Sequence, residues 1–303
     1  MEASPTATSG PAAGVAEGGR TSATRGALPN LIVIGAQKCG TSGLHYHLGL
    51  HPEVSMSKQK ELNFFIEERA WPRGADWYRG HFDPRAKVRG EASPNYTAYP
   101  QHLGVPERIH SVVPDAKLIY MLRDPLDRIA AHWVHNYAKR REKGTLASTL
   151  SHPNTSYLVR SQYHMQLQQF LRHFPLEQIM VIDQADLRER RADLLREIFT
   201  FIGADPDFSH PGFEREPHAT SRKTRASRWA VKMERMSKTR AGRVLPPKVW
   251  FAIDERLPMR KPIERPDVRE ALGPEALRAL REDAERLREL TGREFAGWSI
   301  FQT

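Results

Sequence analysis

The stretch GAQKCGTS, residues 35 to 42, sets Lys38 between two glycines and follows them with two hydroxyls. A triphosphate-binding loop reads Gly, four residues, Gly, Lys, then Ser or Thr. Gly35 and Gly40 keep that spacing, but Thr41 and Ser42 stand where the lysine and its hydroxyl neighbour belong. Those two groups normally serve a β/γ-phosphate and Mg²⁺. A lysine inside the loop suits direct contact with a single 5′-phosphate and the bond leaving it. The turn into a helix also aims backbone N–H groups, and about half a positive charge, at one point. A plain strand–turn–helix connection that happens to hold two glycines has the same spacing and stays open. Two more residue types suit group transfer. Glu61, in SMSKQKELNFF (55–65), is a carboxylate able to take a proton from an attacking nucleophile. Among apolar Leu62, Phe64 and Phe65 it would be desolvated and so more basic; beside Lys58 and Lys60 it is equally an ordinary surface glutamate. Arg123, in YMLRDPLDRIAAHWVHNY (120–137), precedes Asp124-Pro125, a helix-start pair. It therefore belongs at the C-terminal edge of a strand, where a guanidinium forks onto phosphate oxygens, unless it pairs locally with Asp127. No cluster has metal-ligand spacing, despite 13 histidines.

The elements that position these residues read as α/β. LIVI (31–34), KLIYML (117–122) and QIMVI (178–182) are short, nearly continuous apolar runs, the pattern of strands buried on both faces of a parallel sheet. Helical spacing joins Tyr163, Leu167, Phe170 and Phe174 before Pro175, and Leu194, Leu195, Ile198, Phe199 and Ile202 before Gly203. A further stripe, Leu277 to Leu290, opens at Pro274 and closes at Gly292. The expected fold is one α/β domain over residues 28–303, a parallel sheet flanked by helices. Within it, residues 206–266 form a Pro-rich, basic lid.

The chain has 303 residues, 39% of them hydrophobic, enough for a sizeable core. No run approaches the ~20 apolar residues of a membrane span. Residues 1–27 are Ala, Gly, Ser, Thr and Pro-rich and read as a disordered tail. The single cysteine, Cys39, excludes an intrachain disulfide and fits a cytoplasmic protein. A net charge of +10 admits nucleic acid, an anionic surface or small anions as partners. Residues 221–243 concentrate it, with nine Lys or Arg against one Glu. That run is either a solvated face or an anion-binding lid.

LIVIGAQKCGTSGL resembles the 5′-phosphosulfate loop of sulfotransferases that use 3′-phosphoadenosine 5′-phosphosulfate (PAPS). The resemblance runs through most of residues 29–301 and is nearest to the heparan sulfate-type group and its soluble bacterial relatives. It implies a P-loop-like sheet, metal-free sulfuryl transfer and a hydroxyl- or amine-bearing acceptor on a glycan, glycolipid or specialised metabolite. Lys38 and Glu61 would be catalytic, Glu61 as the base. Gln37, Lys38, Cys39, Gly40, Thr41 and Ser42 would hold the donor's 5′ end. Arg123 matches the family's 3′-phosphate arginine, but the serine expected eight positions later is Ala131. His132 stands next to it, about 100° round the helix. HATSRKTRAS (218–227) resembles the late loop that closes over the nucleotide, with Lys223, Thr224 and Arg225 in place of Lys-Gly-Arg. RSQYHMQLQQFLRHFP (160–175) also looks like a family helix, bringing Arg160 and Tyr163 towards nucleotide or acceptor. GEASPNYT (90–97) carries Ala92 where the family has lysine. Lys60, Asn63, Ser93 and Trp133 are the acceptor-contact candidates. A P-loop kinase or NTPase, and a basic nucleic-acid-binding protein, are the competing readings; the missing lysine opposes the first, and the second lacks a dedicated motif. Composition rich in Ala and Arg suggests a bacterial source.

Overall fold

The structure, a computed structural model, describes residues 26–152, 154–215, 224–226 and 260–302. Five strands, β1 (Leu31–Gly35), β2 (Val54–Met56), β3 (Val88–Ala92), β4 (Lys117–Leu122) and β5 (Ile179–Asp183), pair wholly in parallel in the order β2-β3-β1-β4-β5. β1 is central and every one of its residues is buried. The three apolar runs become β1, β4 and β5, which must be apolar because helices cover both faces.

Apolar pattern does not disclose β2 or β3, although GEASPNYT (90–97), by its resemblance to a family strand and turn, marks the end of β3. β2 has three residues, and β3 reads VRGEA, too polar for a buried strand by pattern. Its polar groups are satisfied on the spot. Arg89 donates from Nε to the Leu28 carbonyl at 2.8 Å and from Nη1 to that of Ala86 at 2.7 Å. Glu91, fully buried, accepts from the hydroxyls of Tyr78 (2.6 Å), Ser93 (2.6 Å) and Tyr96 (2.8 Å).

The main helices are α1 (Thr41–Leu48), α2 (Val105–Val112), α3 (Pro125–Ala138), α4 (Tyr163–Leu171), α5 (Arg191–Ile202) and α6 (Pro274–Thr291). α3 starts as its sequence says: the Asp124 carboxylate caps it, accepting from the N–H groups of Leu126 (2.7 Å) and Asp127 (3.1 Å). α6 packs on α4, and the Asp283 carboxylate, buried beside Leu280, Ala284 and Leu287, accepts from the N–H groups of His164 and Met165 at 2.9 Å each.

In the described parts of the 206–266 lid, the regular elements are a 3₁₀ turn at Pro211–Glu214 and the strand Thr224–Ala226, paired antiparallel with Arg260–Pro262. Residues 216–223 and 227–259, including Lys223 and the run from Arg228 to Arg243, and the tail up to residue 25, lie outside the described residues.

Candidate active site

β1 ends in the loop that leads to α1, and two glycines give it its shape. A Cβ on Gly35 would stand 2.0 Å from Thr97 Oγ1 and 2.9 Å from the Tyr120 ring, so the loop passes where a side chain cannot. Gly40, the N-cap of α1, has φ 91, a left-handed conformation open to glycine. Lys38 is also left-handed, with φ 76, without being glycine. The N–H groups of Gly43 and Leu44 bond back to the Gly40 carbonyl at 2.9 and 3.2 Å. Those of Thr41 and Ser42, in the first turn, have no partner within the helix.

The loop opens on a cavity of about 1060 Å³ at the C-terminal edge of the sheet. Gln37, Lys38, Gly40, Thr41 and Ser42 line one side, and Lys60 and Glu61 another; α3 contributes Ala131 and His132, and Arg160 lies at its floor. Among the described residues, eight cations face it (Lys38, Lys60, Arg69, Lys139, Arg141, Arg160, Arg188 and Arg191) against one carboxylate, Glu61. Such a lining focuses positive potential on whatever enters.

Lys60 ties the carboxylate to the loop. Its ammonium is 3.4 Å from Thr41 Oγ1 and 3.3 Å from Glu61 Oε1. Glu61 corrects one expectation: its side chain is 47% exposed, and its apolar neighbours do not desolvate it. The backbone is the reason. Glu61 has φ 62 and Asn63 φ 51, and this kink sends Leu62, Phe64 and Phe65 into the core while the carboxylate stays at the cavity.

Several other expected contacts are corrected by burial. Cys39 is fully buried, its N–H committed to the Ala36 carbonyl at 3.2 Å and its thiol 3.6 Å from the Tyr163 hydroxyl. Burial pushes that thiol up from its usual range. Tyr163, also fully buried, sits behind the loop against Tyr120 and Trp298. Ser93 donates to Glu91 and accepts the Asn63 N–H at 3.0 Å, so it does not reach the cavity. Asn63 is a buried strut, its amide donating to the Glu61 carbonyl at 2.7 Å and accepting from Asn95 at 3.0 Å. Trp133 is buried and stacks on Tyr137 with centroids 4.6 Å apart.

Arg123 is placed by its local pair. Its Nη2 lies 2.8 Å from Asp127 Oδ2, and its Nη1 donates to the Lys38 carbonyl at 3.5 Å. It lines a second groove, of about 440 Å³, rather than the main cavity. Gln184 and Arg188 line both, so the two spaces adjoin. Thr224 and Arg225 lie in the short strand beside α3.

Ala131 and His132 both line the cavity, although neighbours on a helix are about 100° apart. They share it with His135, Asn136 and Lys139, positions three, four and eight beyond Ala131 or His132 on one face of α3. Extended backwards, that face reaches Arg128, which sequence reasoning missed. Arg128 is fully buried; its Nε donates to the Gln37 carbonyl at 3.2 Å and its Nη1 to the Tyr157 carbonyl at 2.9 Å. The i, i+3, i+4 spacing of Arg128, Ala131 and His132 was the signal available. His132 stays neutral: burial, with the charges of Arg128, Arg160 and Lys38, holds its imidazole far below the usual histidine range.

The structure thus sets a phosphate-type loop and a cationic cavity at the C-terminal edge of a parallel α/β sheet. The chain belongs to the sulfotransferase family: the Sulfotransferase domain matches residues 28–243. It is 29% identical over 205 residues to the bifunctional heparan sulfate N-deacetylase/N-sulfotransferase 3 of Mus musculus, a match covering 60% of this chain and 23% of that one. It is 30% identical over 187 residues to the heparan sulfate glucosamine 3-O-sulfotransferase 3B1 of Homo sapiens, covering 58% and 46%. The chain thus spans about a quarter to a half of the length of these curated relatives. A sulfotransferase structure from Alicyclobacillus acidocaldarius superposes with a TM-score of 0.63 at 25% identity, over 90% of this chain and 99% of that one.

Proposed function

We propose that this chain transfers a sulfuryl group from PAPS to a hydroxyl or amine of an acceptor of the glycan, glycolipid or specialised-metabolite kind. The observation that carries this reading is the cavity lining: among the described residues, eight cations surround one carboxylate, and Lys60 bridges that carboxylate to the phosphate loop. The names of the matched relatives, which include N- and O-sulfotransferases of heparan sulfate, support the acceptor chemistry.

PAPS supplies a sulfuryl group already activated on a phosphate. The residues present fit such a polyanion, since the cavity's cations have one acidic neighbour among them. Lys38 and the N–H groups of Thr41 and Ser42 hold the 5′ end and stabilise charge growing on the departing oxygen. Glu61, kept at the cavity by its left-handed backbone, takes the acceptor's proton. Lys60 keeps Glu61 next to the loop. Arg123, in the adjoining groove, and Lys223, Thr224 and Arg225 are assigned to the nucleotide's far end. Among the described residues no helix is long and apolar enough to cross a membrane. A cytoplasmic setting and a bacterial source belong to the proposal, resting on the buried lone thiol and on composition.

Thermal-shift titration separates this reading from its rivals. Adenosine 3′,5′-bisphosphate is expected to raise Tm without metal, and ATP–Mg²⁺ and duplex DNA to leave it in place. Stabilisation by ATP–Mg²⁺ alone would establish a kinase or NTPase. Transfer of label from PAPS to a panel of saccharide acceptors then tests the activity.

A further inference from the structure

Among the described residues, Arg160 is a buried cation that no acid neutralises. It is 7% exposed, and its three partners are neutral amide oxygens: Gln37 Oε1 at 3.1 Å, Asn95 Oδ1 at 3.2 Å and Gln101 Oε1 at 2.6 Å. No carboxylate among the described residues pairs with it, and its buried Nε has no partner. Burial, then the nearby charges of Arg128 and Arg69, push its pKa down to about 9. Taking a guanidinium out of water without a counter-charge is costly, so its retention calls for an anion that arrives from outside. A second group points the same way. His132 is 5% exposed, lines the same cavity and has a buried Nδ1 without a partner.

The place is as telling as the charge. Gln37 belongs to the phosphate loop, whereas Asn95 and Gln101 belong to the segment after β3, on the side of Glu61. Asn95 reaches the Glu61 backbone through Asn63. Arg160 therefore stands where the donor wall and the Glu61 wall meet.

We infer that Arg160 and His132 form an oxyanion seat at the floor of the cavity, distinct from the phosphate loop, that takes a sulfate-like group during the reaction. The seat rests on the sulfotransferase reading, and its occupant has two possible sources: the sulfuryl group of the donor, or an acidic group on the acceptor. Arg160 supplies the charge, and the amides of Gln37, Asn95 and Gln101 fix the plane of its fork. His132, as a neutral imidazole, adds one hydrogen bond without adding a proton to the cavity.

Calorimetry with inorganic sulfate tests the seat. Wild-type protein saturated with adenosine 3′,5′-bisphosphate is expected to bind sulfate, and Arg160→Gln to bind it about tenfold or more weakly, with bisphosphate affinity within a few-fold of wild type. Repeating the titration on PAPS-loaded protein identifies the source. Loss of sulfate binding there assigns the seat to the donor's sulfuryl group; persistence assigns it to an acidic group of the acceptor. Equal sulfate binding by wild type and Arg160→Gln, or none by wild type that binds the bisphosphate normally, overturns the seat. Failure to bind the bisphosphate at all refutes the sulfotransferase reading instead. Should Arg160→Gln not fold, Arg160→Lys and His132→Ala are read in the same way: each is expected to weaken sulfate several-fold, and unchanged affinity in both overturns the seat.

Discussion

The Nε of Arg128 donates to the carbonyl oxygen of Gln37 at 3.2 Å, across 91 positions of sequence and from a side chain with no exposed surface. The phosphate loop is thereby clamped from beneath by the first turn of α3. The clamp acts one residue before Lys38, whose left-handed backbone has no glycine to excuse it. Held strain of this kind persists where surrounding contacts over-determine it.

Arg128→Met should therefore damage two properties at once. The carbonyls of Gln37 and Tyr157 lose a buried donor, which costs about 2–4 kcal/mol in all. In whatever fraction folds, the loop loses its anchor, and bisphosphate affinity should fall at least several-fold. Urea unfolding and calorimetry measure the two effects. A folded variant with native affinity would show that the clamp does not shape the loop.

Lys38→Gly should separate stability from activity. Glycine accepts φ 76 without the Cβ penalty, so the fold should be unchanged or gain up to about 1 kcal/mol. Turnover should nevertheless drop about 10²–10³-fold, the usual loss when a stabiliser of developing charge is removed. Single-turnover kinetics beside thermal unfolding checks both signs. Turnover near wild type would take the ammonium out of the chemistry.

Glu61→Gln keeps the shape of the side chain and removes the proton acceptor. Donor binding should survive, because Lys60 keeps Thr41 as a partner. Turnover should fall by about two orders of magnitude, within the range general-base removal produces. Glu91→Gln is the control carboxylate. It is fully buried on three hydroxyls, so its loss should appear first as lowered Tm. If the two variants behave alike, the division between a working and a structural carboxylate is wrong.

What the sequence disclosed followed from local signals. LIVI, KLIYML and QIMVI are strands because continuous apolar runs have few other homes in an α/β chain, and GAQKCGTS lies where its glycines put it. Illegible were the contacts made at long range by polar residues. Arg89 and Glu91 look wrong for a buried strand until Leu28, Ala86, Tyr78 and Tyr96 supply their partners. The motif around Ser93 and Asn63 marked the right neighbourhood, but both side chains turn inward as struts for the Glu61 loop. Resemblance transferred position; it did not transfer which way a side chain faces.

Asp283, where α6 packs on α4, should make stability depend on pH. Burial raises its carboxyl to about 6, against the 3.8 of a free aspartate and in spite of the two backbone N–H groups it accepts. Between those values the folded state binds more protons than the unfolded one. Stability from this group is thus complete below about pH 4, declines as pH rises through 6, and then levels, a span of about 2–3 kcal/mol. Asparagine cannot titrate, so the stability difference between wild type and Asp283→Asn should shift against wild type by that amount from pH 4 to 6.5. Urea midpoints at half-unit intervals measure it, and parallel curves for the two proteins would mean that Asp283 carries the same proton load folded and unfolded.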